Sequence, residues 1–270
     1  MMHYVIPDTQ TKPGVPVDHM RWIGLDILRR RPDVVVHLGD GFDLPSLSSY
    51  DKGKKSMEGR RVSEDVACAN EAIGLLTLPS RRHNSRCKEQ NRFDPRWVYL
   101  LGNHEHRMQR AIEDQAQLDG TLGMHLFDLE GWEVHDFLEP VFIDGIGYAH
   151  YWYNPMNGRP YSGAALNRLK TIGHSYSMGH QQTLDFAIRP VGDTFHHGLV
   201  AGACYLHDEE YKGYQGNSHW RGVIVKNEVR DGHYDIMPLS LDYLCREYEG
   251  VPLREFLRTK YPEMTGTLWR

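Results

Sequence analysis

Short apolar runs alternate with amphipathic stretches through the first half of the chain. Val5-Ile6, Val34-Val35-Val36 and Val98-Tyr99-Leu100-Leu101 have the length and the β-branched or aromatic character of strands. Between the first two, Val17, Met20, Ile23 and Ile27 recur at helical spacing, with Asp18 set to cap the start and Pro32 beyond the end. A second helix is predicted over residues 62–76, with Val66, Ala69, Ile73 and Leu76 on its apolar face, and a third through Met108 and Ile112. This order of strand, loop, helix and strand reads as the first half of a layered α/β sandwich. From Trp132 onward the pattern turns to β. Asp144-Gly145 marks a hairpin between residues 141–143 and 147–150, and a helix is predicted near 163–169. Strands follow at 184–188, 197–203, 223–226 and 234–237, the last two joined through Arg230-Asp231-Gly232, and the tail after Ser240 is helical. No repeat, low-complexity run or linker divides the chain, so residues 1–270 are expected to form one domain.

Each of the first three strands stops at groups that carry chemistry. The endings are Asp8-Thr9-Gln10, Gly39-Asp40-Gly41-Phe42-Asp43 and Gly102-Asn103-His104-Glu105. Neighbouring parallel strands bring their carboxyl ends to one crevice, the usual ligand site of an open α/β sheet. Carboxylate and amide oxygens beside imidazole describe a site for Mn, Fe, Zn or Mg. Singly, each Asp has a simpler reading as a turn former, and His150 in its apolar strand could be a satisfied core histidine.

Followed by His150 and by Gly179-His180-Gln181-Gln182, these strings come in the order and at the spacing that mark a known family. From Asp8 to Gln182 the chain resembles the calcineurin-like metallophosphoesterases, and beyond residue 200 it resembles the compact phosphoesterases often carried by phages and prophages. The resemblance implies an α/β fold, the calcineurin-like α/β/β/α sandwich with two mixed sheets flanked by helices. It also implies two divalent metal ions, Mn foremost, with Mg, Fe or Zn as alternatives. Asp40 would bridge them. Asp8, Gln10 and Gln182 fall at the first ion, and Asn103, His150 and His180 at the second. His104 would face the substrate as general acid, with Asp43 fixing its tautomer, and Glu105 would support the loop. His174, in a second Gly-His, is a rival for His180.

The implied activity is hydrolysis of a phosphoester by metal-hydroxide attack. A phosphodiester in a nucleotide or nucleic acid is favoured; a monoester, or a non-catalytic scaffold on the same fold, is the alternative. Gln10 and Gln182 stand where most of the family has histidine. Amide oxygens bind borderline metals more weakly than imidazole, so the first ion is expected to be the weaker and to favour Mn or Mg over Zn.

The net charge of −5 argues against a generally basic nucleic-acid coat. Two basic segments stand out. Lys52, Lys54, Lys55, Arg60 and Arg61 leave the carboxyl end of a strand, and Lys54, Lys55, Arg60 and Arg61 are candidates to touch an anionic substrate; the other reading is a solvated loop. Arg81, Arg82, Arg86, Lys88, Arg92 and Arg96 enter a strand from the opposite end, so they are expected to lie away from the chemistry. Tyr148, Tyr151, Trp152 and Tyr153 are core or rim packing, or rings that stack a base. Four scattered cysteines without a C-x-x-C pair, no signal-peptide pattern and no long apolar window lead to an expectation of a soluble, cytoplasmic protein with no membrane partner.

Overall fold

The computed structural model describes residues 1–209 and 212–269, with Tyr214 described by its backbone alone. Strands β1 (His3–Ile6) and β2 (Val34–His37) are buried along their whole length, and β3 (Arg96–Leu100) over its last three residues. That is why they read as continuous apolar runs: a parallel strand covered on both faces has no polar side to alternate with. The three pair in parallel, and β4 (Glu133–His135) adds a fourth parallel strand beside β3. Residues 133–135 gave no apolar signal because Val134 remains exposed. On the other side β12 (Gly222–Arg230) and β13 (His233–Ser240) continue the sheet antiparallel, giving six strands in the order β13-β12-β1-β2-β3-β4.

A second sheet has the order β10-β11-β9-β6-β5, built from β5 (Val141–Ile143), β6 (Ile146–Ala149), β9 (Tyr176–Met178), β10 (Leu184–Val191) and β11 (Thr194–Ala201). Its inner strands β6, β9 and β11 are mutually parallel, and its edges are antiparallel, so both large sheets are mixed. Tyr153–Asn154 and Arg159–Pro160 form a small hairpin, β7 and β8.

Among the described residues there are seven α-helices. In the first crossover, α1 (Asp18–Arg30), Asp18 is the first helical residue and not the cap; Val17 holds that position. The Asp18 carboxylate instead accepts from Lys260 and, at 2.5 Å, from the Tyr261 hydroxyl. The second crossover, α2 (Val62–Arg86), continues ten residues past Leu76 with Pro79 inside it, so Arg81, Arg82 and Arg86 lie on a helix. The side-chain amide of Asn84 bonds the backbone C=O and N–H of Phe93, both at 2.8 Å, and ties these last turns to the segment before β3. No helix among the described residues is long and apolar enough to cross a membrane.

Period two along the strands sorts the core into layers. Tyr4, Ile6, Val35 and Tyr99 face α1 and α2, in contact with Trp22, Ile23, Ile73 and Leu76. Val5, Val34, Val36 and Val98 point the other way and meet Ile146, Tyr148, Leu199 and Ala201 of the second sheet. Beyond that sheet, Leu169 of α4 (Ala165–Ile172) packs on Tyr176, Met178 and Val200. Helices, sheet, sheet and helix follow one another. The carboxyl ends of β1, β2, β3, β6 and β9 lie at one edge of the stack.

Candidate metal centre

The chain reverses sharply as it leaves these strands, and the reversals aim the side chains. Gln10, Asp40, His180 and Gln182 have φ of 39°, 48°, 65° and 59°, a region L-residues seldom occupy. Such strain gathers where the surrounding structure must hold a side chain in place. Glycines permit the crowding: a Cβ on Gly102 would stand 2.2 Å from Asp40 Oδ1, and one on Gly179 2.3 Å from Asp8 Oδ1.

Asn103, His150 and His180 come from three different strand ends to one point. Asn103 Oδ1 lies 3.0 Å from His150 Nε2 and 2.8 Å from His180 Nδ1, while His150 Nε2 lies 3.3 Å from Asp40 Oδ2. Ligating atoms of Asp40, His150 and His180 all fall within 4.8 Å of one another, a group that can hold a metal ion. His150 Nδ1 donates to the Leu38 carbonyl at 2.8 Å. That bond fixes the tautomer and leaves Nε2 directed at the cluster, the usual outer support of a metal-bound histidine. Burial opposes charge on His150, but Asp40 beside it outweighs burial and raises the imidazole to about 9. Burial likewise opposes ionisation of Asp40, and His104 and His150 hold it below the ordinary carboxylate range. A metal ion at that point would need Nε2 unprotonated and would itself offset the Asp40 charge. Two nitrogens and two oxygens suit a divalent transition ion.

The other set is buried but less fully hydrogen-bonded. Asp8 Oδ1 accepts the His180 backbone N–H at 2.9 Å. Asp8 Oδ2 and both carboxamide atoms of Gln10 are buried with no hydrogen-bond partner among the described residues. Burial and the nearby Asp40 carboxylate push the Asp8 carboxyl up. A buried carboxylate oxygen and a buried amide without partners fit a cation with oxygen ligands. Gln182 differs, since its Oε1 accepts from the Tyr205 hydroxyl at 2.9 Å and from Lys212 Nζ.

His104 stands beside the cluster, with Nε2 3.7 Å from Asp40 Oδ2 and its backbone N–H donating to Asp40 Oδ1 at 2.9 Å. Its Nδ1 is 2.7 Å from Asp43 Oδ1. Burial works against the imidazolium, but Asp40 and the bond to Asp43 prevail and raise the group. Asp43 is buried too, and His104, Lys12 and Arg107 hold it well below the usual range. Lys12 Nζ reaches Asp43 at 3.2 Å and Glu209 at 2.9 Å, and Arg107 Nη1 reaches Asp43 at 3.2 Å. His207 Nε2 closes the chain at 2.7 Å from Glu209.

The pattern of strand endings does not reveal Lys12, Arg107, Glu209 or His207. Arg107 follows His104 by three places in the turn that opens α3 (His106–Asp114), a spacing that puts both on one face. Lys12 and Glu209 meet from chain positions 197 apart, and no local signal pairs them. His174, the rival to His180, packs instead on Trp152 and Phe142.

A cleft of about 1300 Å³ opens over the centre, lined in part by Asp40, Asp43, Asn103, His104, His180 and Gln182. Lys54, Arg60 and Arg61 also line it; Lys55 is exposed but is not part of the lining. All three have partners, with Lys54 3.3 Å and Arg60 3.0 Å from Asp51 and Arg61 Nη1 donating to the Arg60 carbonyl at 3.0 Å. None of Arg81, Arg82, Arg86, Lys88, Arg92 and Arg96 lines the cleft. Tyr148 is core, while Tyr151 and Trp152 are half-buried and Tyr153 exposed. Compared with models of known protein families and with curated protein sequences, the chain gives no match.

Proposed function

We propose that this protein is a metal-dependent phosphoesterase of the calcineurin-like type, acting on a phosphodiester in a nucleotide or nucleic acid. The observation that carries the reading is the convergence of Asp40 Oδ2, Asn103 Oδ1, His150 Nε2 and His180 Nδ1 on one point, with His104 alongside. The layer order of helix, sheet, sheet and helix agrees with the sandwich expected of that family. Two ions, Mn foremost, are proposed: one held by Asp40, Asn103, His150 and His180, the other by Asp8, Gln10 and the shared Asp40, with Gln182 at its margin.

Divalent ions bound there would polarise the phosphoryl oxygens and make a water molecule more acidic. The rest falls to the chain. Asp43 accepts the His104 Nδ1 proton at 2.7 Å, so Nε2 is the nitrogen turned toward substrate. The charges of Asp40 and Asp43 favour the protonated form of that imidazole, the form that can give a proton to a departing oxygen. Lys12 and Arg107 neutralise Asp43 and hold it still. Lys54, Arg60 and Arg61 supply positive charge along the cleft for further phosphates.

The test is turnover of bis(p-nitrophenyl) phosphate with added Mn, against chelated protein and against Asp40→Asn. Activity restored by Mn to the wild type and absent from Asp40→Asn is expected. Turnover that ignores both chelation and the substitution would sink the reading.

A further inference from the structure

The centre does not sit at the bottom of a single depression. A second groove of about 300 Å³ meets the large cleft, and the two share Tyr50, Asn103, Arg107 and His180. The shared residues belong to the centre or its mouth, so the centre lies where two unequal grooves join. A phosphomonoester has one substituent and needs one groove. A phosphodiester has two, and a junction of two grooves can seat both.

The grooves differ in chemistry as well as size. Lys54, Arg60 and Arg61 line the large one beside Asp51, Glu64 and Asp65, so a chain carrying further phosphates would take Lys54 and Arg60 over from Asp51. The small one is walled by Phe137, Tyr151, His106 and Arg110. Phe137 packs edge-on to Tyr151 with ring centroids 5.5 Å apart, and at 5.0 Å from the His106 ring. Tyr151 in turn lies 4.8 Å from the ring of His180. This run of half-buried rings begins at His180, a candidate ligand, and ends at His106. Arg110 adds a planar cation, whose Nε is buried with no hydrogen-bond partner among the described residues. Rings with an arginine are what nucleobases stack on, without regard to sequence. A volume near 300 Å³ stands at the small end of ligand pockets. It has room for one nucleoside and not for a strand.

Resting on the phosphodiesterase reading above, we propose that the groove of Phe137, Tyr151, His106 and Arg110 is a nucleoside subsite. It holds the nucleoside on one side of the scissile phosphate, and the large cleft takes the rest of the chain. The substrate is then a single-stranded nucleic acid or an oligonucleotide, and not a small alkyl diester or a phosphoprotein.

Binding without turnover tests this by calorimetry on Mn-loaded protein, with thymidine 5′-monophosphate, thymidine 3′-monophosphate and methyl phosphate as probes. One thymidine phosphate should bind roughly 5- to 150-fold more tightly than methyl phosphate, the range that base stacking on an aromatic gives. Phe137→Ala should abolish that preference. Tyr151→Leu, a second and independent variant, should reduce it. Equal affinity for all three probes in the wild type, or a preference retained in both variants, overturns the subsite. Hydrolysis of bis(p-nitrophenyl) phosphate decides the phosphoesterase reading separately, since that ester needs no base site.

Discussion

Glu105 accepts from the backbone N–H groups of Asp40, Gly41, Phe42 and Gly102 and from the Tyr99 hydroxyl, at 2.7 to 3.0 Å. One buried carboxylate thereby ties the loop after β2 to the loop after β3, and so sets Asp40 against Asn103. Glu105→Ala leaves those donors unmet, and each unsatisfied buried group costs about 1–3 kcal/mol. A loss of at least ~3 kcal/mol in urea unfolding is expected even after partial rescue by water. Mn affinity should fall ~10–100-fold, as it does when the outer support of a metal site is removed. Unchanged unfolding and unchanged Mn titration would show that the loops hold without it. His104 has a different test. On the proposed phosphoesterase reading, His104→Asn should leave metal binding unchanged and lower kcat by ~10²–10⁴, the usual contribution of a placed proton donor. The defect should shrink for esters with acidic leaving groups; loss of metal would make His104 a ligand instead. At this scale the sequence is informative about groups that end strands, because strand ends have a recognisable pattern. It is silent on Lys12, Arg107 and Glu209, which act through contacts the pattern does not contain.

Helices α1 and α2 pack closely through Gly24. A Cβ there would stand 2.2 Å from the Leu76 carbonyl oxygen and 3.2 Å from Pro79 Cδ. Two effects of Gly24→Ala compete. Alanine favours the helix by about 1 kcal/mol over glycine. Forcing two backbones apart in a packed core costs about 1–3 kcal/mol, and here the obstacle is a carbonyl, which cannot rotate away as a side chain can. The substitution should therefore destabilise by up to about 2 kcal/mol in urea unfolding. A more stable variant would mean that the seam relaxes freely. The same seam explains what periodicity left out. Apolar spacing ends at Leu76 and Pro79 reads as a breaker, yet α2 runs to Arg86 because Asn84 anchors it to Phe93. That anchor depends on two segments meeting, which residues 77–86 do not encode by themselves. β4 escapes the apolar pattern for a related reason, since hydrogen bonds to β3 make it a strand and its side chains do not.

Across the whole molecule, burial of histidines sets how stability changes with pH. Burial lowers His3 to about 4, His19 to about 3, His37 to about 3 and His197 to about 4, from an ordinary 6.5. Such a group is neutral when folded and gains a proton more readily when unfolded, so its contribution is complete above about pH 6.5 and declines below it. Asp8 runs the other way. Burial and Asp40 raise its carboxyl, so the folded chain takes up that proton first and acidification favours folding through this one group. Asp40 and Asp43, held low, do not titrate in this window. His180 and His219, also lowered to about 4, add to these four histidines, and against the raised carboxyls of Asp8 and Asp65 they leave a net loss as pH falls from 6.5 toward 4.5. Urea unfolding of metal-free protein at pH 7.0, 6.0 and 5.0 should give midpoints that drop at each step. His19→Gln should flatten the slope by about 1.4 kcal/mol per unit, whatever it does to stability at pH 7, because the slope counts protons and not contacts. Stability that rises on acidification would mean that the buried histidines are protonated in the native protein, and that their surroundings supply negative charge this structure does not contain.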